Sequence, residues 1–241
     1  MQLRFHILTL FPKMFSSPFA EGIVARAMEN DIVDISVHDI REHARDRYRS
    51  VDDYPYGGGP GMVMKPEPIF AAVQHLRDSG KSNEGAPIIL MTPQGRVFNH
   101  AVAQELSEFD EMILICGRYE GFDERIRNNL VTDEISIGDF IMSGGEIAAM
   151  TLVDTVSRLI PGVVGQVESI KNDSFYNGLL QFPQYTRPAS FQGMNVPEIL
   201  LSGNHCEIDR WRKEQSVLRT KSRRSDLIPN VVAKEGTENT P

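Results

Sequence analysis

Cysteine is scarce: the 241 residues hold two, Cys116 and Cys206, with no C-x-x-C spacing. A disulfide framework and a zinc ribbon are thereby excluded, and the fold must rest on an ordinary apolar core. Long apolar runs are also missing. The longest, such as Met112-Ile113-Leu114-Ile115-Cys116, fall far short of the roughly 20 residues that a membrane-spanning helix needs, so no membrane span is expected. The opening MQLRFHILTLFP carries Arg4 and His6 inside its apolar stretch and has no small-residue cleavage site. It reads as a strand and not as a signal peptide, which points to the cytoplasm. Neither G-x-G-x-x-G nor G-x-x-x-x-G-K-[ST] occurs, which leaves dinucleotide and P-loop chemistry without support. The histidines, among them His6, His38, His75, His100 and His205, show no ligand spacing, and no metal site is expected.

What is present describes a globular chain, 41% hydrophobic and 24% charged, long enough for one α/β domain and a small second one. Its formal net charge is −8, yet two basic islands interrupt the acidic background. One holds Arg41, Arg45, Arg47 and Arg49; the other, 210–224, holds Arg210, Arg212, Lys213, Arg219, Lys221, Arg223 and Arg224 against Glu214 alone. Such runs suit solvated faces as well as a polyanion-binding surface.

Leu3, Phe5 and Ile7 alternate with polar residues, and 32–37 repeats the pattern, so both predict strands. Between them Phe19, Ile23, Val24, Ala27 and Met28 recur at helical spacing. Apolar runs at 87–91, 112–116 and 131–137 predict further strands, separated by helical patterns near 98–108 and 122–130 and followed by one over 146–160. Strands alternating with helices imply a mainly parallel sheet. After Pro161 the pattern stops. The expected organisation is an α/β domain over 1–161, a flexible linker over 162–174 and a small all-α domain over 175–241 whose tail frays. In that last part 196–201 ends at Ser202-Gly203-Asn204, and Ile208, Trp211, Gln215 and Leu218 trace one helical face.

Three glycine-bearing turns follow three of these strands: Thr92-Pro93-Gln94-Gly95, Gly117 to Gly121, and Ile137-Gly138-Asp139 leading to Ser143-Gly144-Gly145-Glu146. In an open parallel sheet such loops converge on a crevice, where glycine lets backbone approach a ligand; ordinary turn chemistry explains any one of them alone. Tyr56-Gly57-Gly58-Gly59-Pro60-Gly61-Met62 cannot lie inside a helix or strand. It is either a plain linker or a loop that closes over a polyanion. Asp173 and Ser174, where the polar segment meets a predicted helix, suit an N-cap, and Arg158, late in its helix, suits the dipole.

These motifs, read together, resemble one family. GGGPGM (57–62), MTPQGR (91–96), CGRYEGFDER (116–125), EISIGDF and SGGE (134–146), DSF (173–175), GLL (178–180), YTRP (185–188) and LLSGNH (200–205) are similar, in order, to the bacterial tRNA (guanine-N1)-methyltransferases of the SPOUT superfamily. The resemblance implies an α/β fold whose parallel sheet carries a deep trefoil knot. It also implies a homodimer with active sites shared between chains, S-adenosyl-L-methionine as methyl donor, and tRNA as substrate, methylated at N1 of guanine 37, immediately 3′ of the anticodon. By the same resemblance the cofactor is cradled by Met91, Thr92, Pro93 and Gly95 in the first loop and by Gly117, Tyr119 and Glu120 in the second. The third loop contributes Ile137, Gly138, Asp139, Phe140, Ile141, Met142, Gly144 and Gly145. Asp173 is implied as general base at N1 and Arg158 as the cation beside O6, while Gly59, Ser174, Arg187, Arg219 and Arg223 are implied to contact tRNA. Tyr54 departs from the pattern, standing where many relatives carry arginine.

Overall fold

The computed structural model describes residues 2–165 and 170–228, which fall into two compact units, Met1–Gly165 and Gln166–Pro241. The first is built on five parallel strands in the order β2 (Val33–Asp39), β1 (Leu3–Thr9), β6 (Glu111–Cys116), β5 (Ile88–Val97) and β7 (Asp133–Ser136). Side-chain alternation sends Phe5, Ile7, Ile89, Met112 and Leu114 to one face, where helices α1 (Gly22–Glu29), α3 (His100–Leu106) and α5 (Glu146–Ser157) cover them. Leu8, Ile88, Leu90, Ile113 and Ile115 point the other way, toward α2 (Pro66–Asp78) and α4 (Glu124–Asn129). Because β6 is covered on both faces, all six of its residues are buried, Glu111 included; this is why it reads as an unbroken apolar run and not as an alternation.

One helix escapes the sequence reading. In α2 the buried positions Ile69, Ala72, Val73 and Leu76 follow helical spacing and Pro66 stands in the first turn, where its missing N–H costs nothing. A two-stranded ribbon, β3 (Asp52–Asp53) with β4 (Val63–Met64), precedes it and closes off the glycine-rich loop.

In the second unit a short helix, Glu198–Leu201, leads into a long one, His205–Arg223, whose first turn is capped by the Asn204 side chain accepting from the Glu207 N–H. The expectation of an all-α domain is corrected here. Ser190–Phe191 and Met194–Asn195, β8 and β9, form an antiparallel ribbon, because Gln192 (φ 51°) and Gly193 (φ 78°) both take the left-handed conformation that a two-residue I′ hairpin turn demands. The expected linker 162–174 is also shorter at its start: Val163 packs on the first unit's core and Pro161 bridges Val164. Residues 166–169 of it, and the expected frayed tail 229–241, lie outside the described residues. Among the described residues, no helix is long and apolar enough to cross a membrane.

Candidate functional site

Because β5, β6 and β7 are parallel, the loops leaving their carboxyl ends emerge on one edge of the sheet. There they enclose a cleft of about 420 Å³, in the size range of small-molecule sites. Of the cofactor residues implied by sequence, Met91, Thr92, Pro93, Gly117, Tyr119, Glu120, Ile137, Gly138, Phe140, Ile141, Met142, Gly144 and Gly145 line it. Gly95 and Asp139 do not. Gly95 instead lets two strands meet. After the excursion 92–95 the chain pairs again with β7, Met91 and Arg96 both facing Ile135, and a Cβ at Gly95 would sit well under 3.0 Å from the Glu134 and Ile135 backbone.

Gly145, just before α5, is wedged where β5 and β6 end. Its N–H donates to the Gly117 carbonyl at 2.9 Å, and an added Cβ would meet Cys116 Cα, Gly117 N and Met91 Cβ, each at 3.0 Å. The loop after β6 turns tightly through Tyr119 (φ 60°) and Gly121 (φ 119°). A left-handed tyrosine is uncommon and holds only where its surroundings dictate it. They do so here: the Glu120 N–H donates to the Met62 carbonyl at 3.0 Å, and the Met64 N–H to the Gly121 carbonyl at 2.9 Å. The glycine-rich loop containing Gly59 is thus zipped at its end onto the cofactor-side loop.

Arg118, which sequence reasoning passed over, ties the site together. Its Nη1 donates to the Ser143 carbonyl at 2.9 Å, its Nε donates to Glu146 Oε1 at 3.2 Å and its Nη2 lies 2.9 Å from Oε2. Glu146 is 1% exposed and also accepts from Thr9 Oγ1 at 2.8 Å. The partners are 28 residues apart, a separation that no local pattern reveals. The other lining cation, Arg127, pairs with Glu134 and donates to Thr92 Oγ1 at 3.2 Å. Burial first, and the Glu146 carboxylate after it, push the Cys116 thiol well above its usual value, so it is no nucleophile at neutral pH.

The remaining sequence candidates are not among the lining residues. Arg158 is the C-cap of α5 while Gly145 is its N-cap, which sets the two about 20 Å apart along the helix. No helix begins at Asp173: its N–H donates to the Ile170 carbonyl, and turns follow, with Phe175 left-handed at φ 77°. The N-cap expectation fails. Ser174 Oγ accepts from the Gln181 N–H at 2.9 Å and Arg219 Nη1 donates to the Gln181 carbonyl at 3.3 Å, so both brace the second unit. Arg187 and Arg223 are exposed.

Residues 3–230 match the profile of the family described as tRNA (Guanine-1)-methyltransferase TrmD. A protein of Geotalea uraniireducens named tRNA (guanine-N(1)-)-methyltransferase is 56% identical over 229 residues, 95% of this chain and 92% of its own length. Proteins of the same name from Dehalococcoides mccartyi and Staphylococcus carnosus are 53% and 51% identical over 95% and 94% of this chain, and over 92% and 91% of their own lengths. A profile match across nearly the whole length, joined to identities above one half and to a glycine-walled cleft at the ends of three parallel strands, places this chain in the tRNA (guanine-1)-methyltransferase family.

Proposed function

We propose that this chain transfers a methyl group from S-adenosyl-L-methionine to N1 of guanine 37 of tRNA, immediately 3′ of the anticodon. The observation that carries the reading is the make-up of the cleft. Backbone of Gly117, Gly138 and Gly144 and the side chains of Met91, Ile137 and Met142 supply hydrogen-bonding edges and apolar contact for an adenosine. Arg118 and Arg127 are already neutralised by Glu146 and Glu134, which suits a ligand without phosphates. When bound, the cofactor supplies a methyl group activated on a sulfonium. Gly95 is withdrawn from the proposed cofactor contacts, and Asp139 is kept only as part of the loop.

The remaining chemistry falls to the protein. Guanine N1 carries a proton and is a poor nucleophile until it leaves. Asp173 would take that proton, freeing the N1 electron pair to accept the methyl group, and the charge spreading to O6 would be met by Arg158. The separation of about 20 Å along α5 between Arg158 and Gly145 supports a reading in which Arg158 serves a partner's cleft, with sites shared across a homodimer. Exposed Phe11, Met14, Ile141 and Ile147 support such an interface: Arg118 touches Phe11 and Met14 and holds Ser143, beside Ile141 and Ile147 in sequence. A trefoil knot is supported by the course of the chain, which passes β7 before seating Gly145 between the ends of β5 and β6. Gly59, Ser174, Arg187, Arg219 and Arg223 complete the proposed tRNA surface, the second unit serves as the tRNA-binding domain, and the working compartment is the cytoplasm.

The test is incubation with unmodified tRNA and methyl-labelled S-adenosyl-L-methionine, followed by nucleoside analysis. Label in 1-methylguanosine at position 37 is expected, and Asp173→Asn should slow single turnover about 10²–10⁴-fold. Label at another atom, or near-normal turnover by Asp173→Asn, overturns the substrate or the base respectively.

A further inference from the structure

The second unit has a cavity of its own, also about 420 Å³, against the first turns of the long helix. Its floor is apolar, formed by Phe182, Val196, Leu200 and Ile208, while Arg187, His205 and Arg212 stand around it and no Asp or Glu lines it. That is a notable bias in a chain with a net charge of −8. Tyr185, 49% exposed, stands among the lining residues. The Arg212 guanidinium lies 5.0 Å from the centre of the Phe182 ring. Its Nη1 donates to Asp209 at 3.2 Å, but its Nε is buried with no acceptor, and a buried donor left unmet is costly.

We propose that this cavity holds one unstacked nucleotide of the tRNA, its base on the apolar floor beside Tyr185 and its phosphate toward Arg187. The inference rests on the tRNA reading above and adds a second contact to it. A base has two apolar faces, which match an apolar floor and a half-exposed phenol ring. The attached phosphate matches Arg187, exposed on a rim that no Asp or Glu lines, whereas Arg212 is paired with Asp209. An apolar peptide segment from a second copy would fill the floor but leave the exposed Arg187 unmet.

Leu201 lines the cavity yet is 61% exposed, so its substitution leaves packing intact. In the full-length protein Leu201→Glu should raise KM for tRNA severalfold while Leu201→Lys should not, since damage to the fold would affect both alike. Tyr185→Ala should raise that KM about 5- to 100-fold, as loss of one base stack does, and Tyr185→Phe, which keeps the ring, should restore it. Cofactor affinity by calorimetry should stay constant throughout. A tRNA carrying 4-thiouridine should crosslink to the peptide 182–201. Equal effects of the two charges at Leu201, an unchanged KM for Tyr185→Ala, crosslinks confined to other peptides, or a shift of oligomeric state in the Leu201 variants each overturns the proposal. If the wild-type protein binds tRNA without methylating it, the methylation reading fails alone, and the same variants read by filter binding still decide the cavity.

Discussion

Replacing Gly95 with alanine separates two roles that one glycine could have in this cleft. A contact with the cofactor predicts a folded protein that cannot bind it. The structure predicts the reverse order of damage. An alanine Cβ would lie well under 3.0 Å from the carbonyl of Glu134 and the nitrogen of Ile135, and these are backbone atoms that no rotamer change can move aside. β5 would have to part from β7 locally, giving up the pairing of Arg96 with Ile135 and of Val97 with Ser136, along with the 2.7 Å bond from the Phe98 N–H to the Ser136 carbonyl. Two or three backbone hydrogen bonds at about 1 kcal/mol each, with some loss of burial at Ile135, amount to roughly 2–4 kcal/mol. Urea unfolding followed by circular dichroism should show the midpoint lowered by about 1 M or more, and calorimetry should show weaker cofactor binding as a consequence. A wild-type midpoint with cofactor binding abolished would refute the reasoning and return Gly95 to the ligand.

Arg118→Met strands the buried Glu146 carboxylate and should cost about 3–5 kcal/mol in urea unfolding; the added change Glu146→Gln should recover part of it, and an unchanged midpoint in the single variant rejects the pair's role. His38 is held down to about 4, first by burial and then by His6, Lys81, His43 and His75 nearby. The unfolded residue titrates near 6.5, so the unfolded state binds more protons between the two values and stability should fall as pH drops through that window, by about 1–2 kcal/mol after solvent screening. His6 and His43, also lowered chiefly by burial, act in the same direction; His38→Asn should flatten the profile, and a wild-type midpoint level from pH 6.5 to 4.5 counts against it. Mixed dimers of Asp173→Ala with Gly145→Val should regain up to half the activity of wild-type dimers, because one site then joins intact cofactor loops of one chain to the intact carboxylate of the other. No recovery in heterodimers confirmed by mass would leave each site within one chain.

The parallel sheet was legible because β6 is an unbroken apolar run covered on both faces and because Leu3, Phe5 and Ile7 of β1 alternate with polar residues in sequence, although nearly all of β1 is buried. Helix α2 was hidden by its Pro-Glu-Pro opening, which reads as a turn unless proline's tolerance in a first helical turn is weighed. The cleft was legible for a different reason. Where walls are backbone, glycine must recur at each strand end, and three such loops announced one site. That signal does not distinguish a glycine that admits a ligand from one that admits a neighbouring strand, and Gly95 meets the backbone of Glu134 and Ile135. Side-chain pairs such as Arg118 with Glu146 leave no local trace, because topology and not spacing brings them together.

The loop 117–121 is held from two directions. On one side it is bonded through Glu120 and Gly121 to Met62 and Met64, at the end of the glycine-rich loop; on the other, Arg118 binds Ser143 and Glu146 and so fixes the loop that follows β7. The left-handed conformation of Tyr119 is stable only because both anchors oppose its relaxation. A wall fixed in this way loses little conformational freedom when the cleft fills, so less of the binding free energy is spent on ordering it. It also joins two sets of residues that sequence places far apart: a ligand that shifts Glu120 or Gly121 must shift the backbone at Met62 and Met64, and with it the loop carrying Gly59. Cleft and glycine-rich loop therefore respond as one mechanical element.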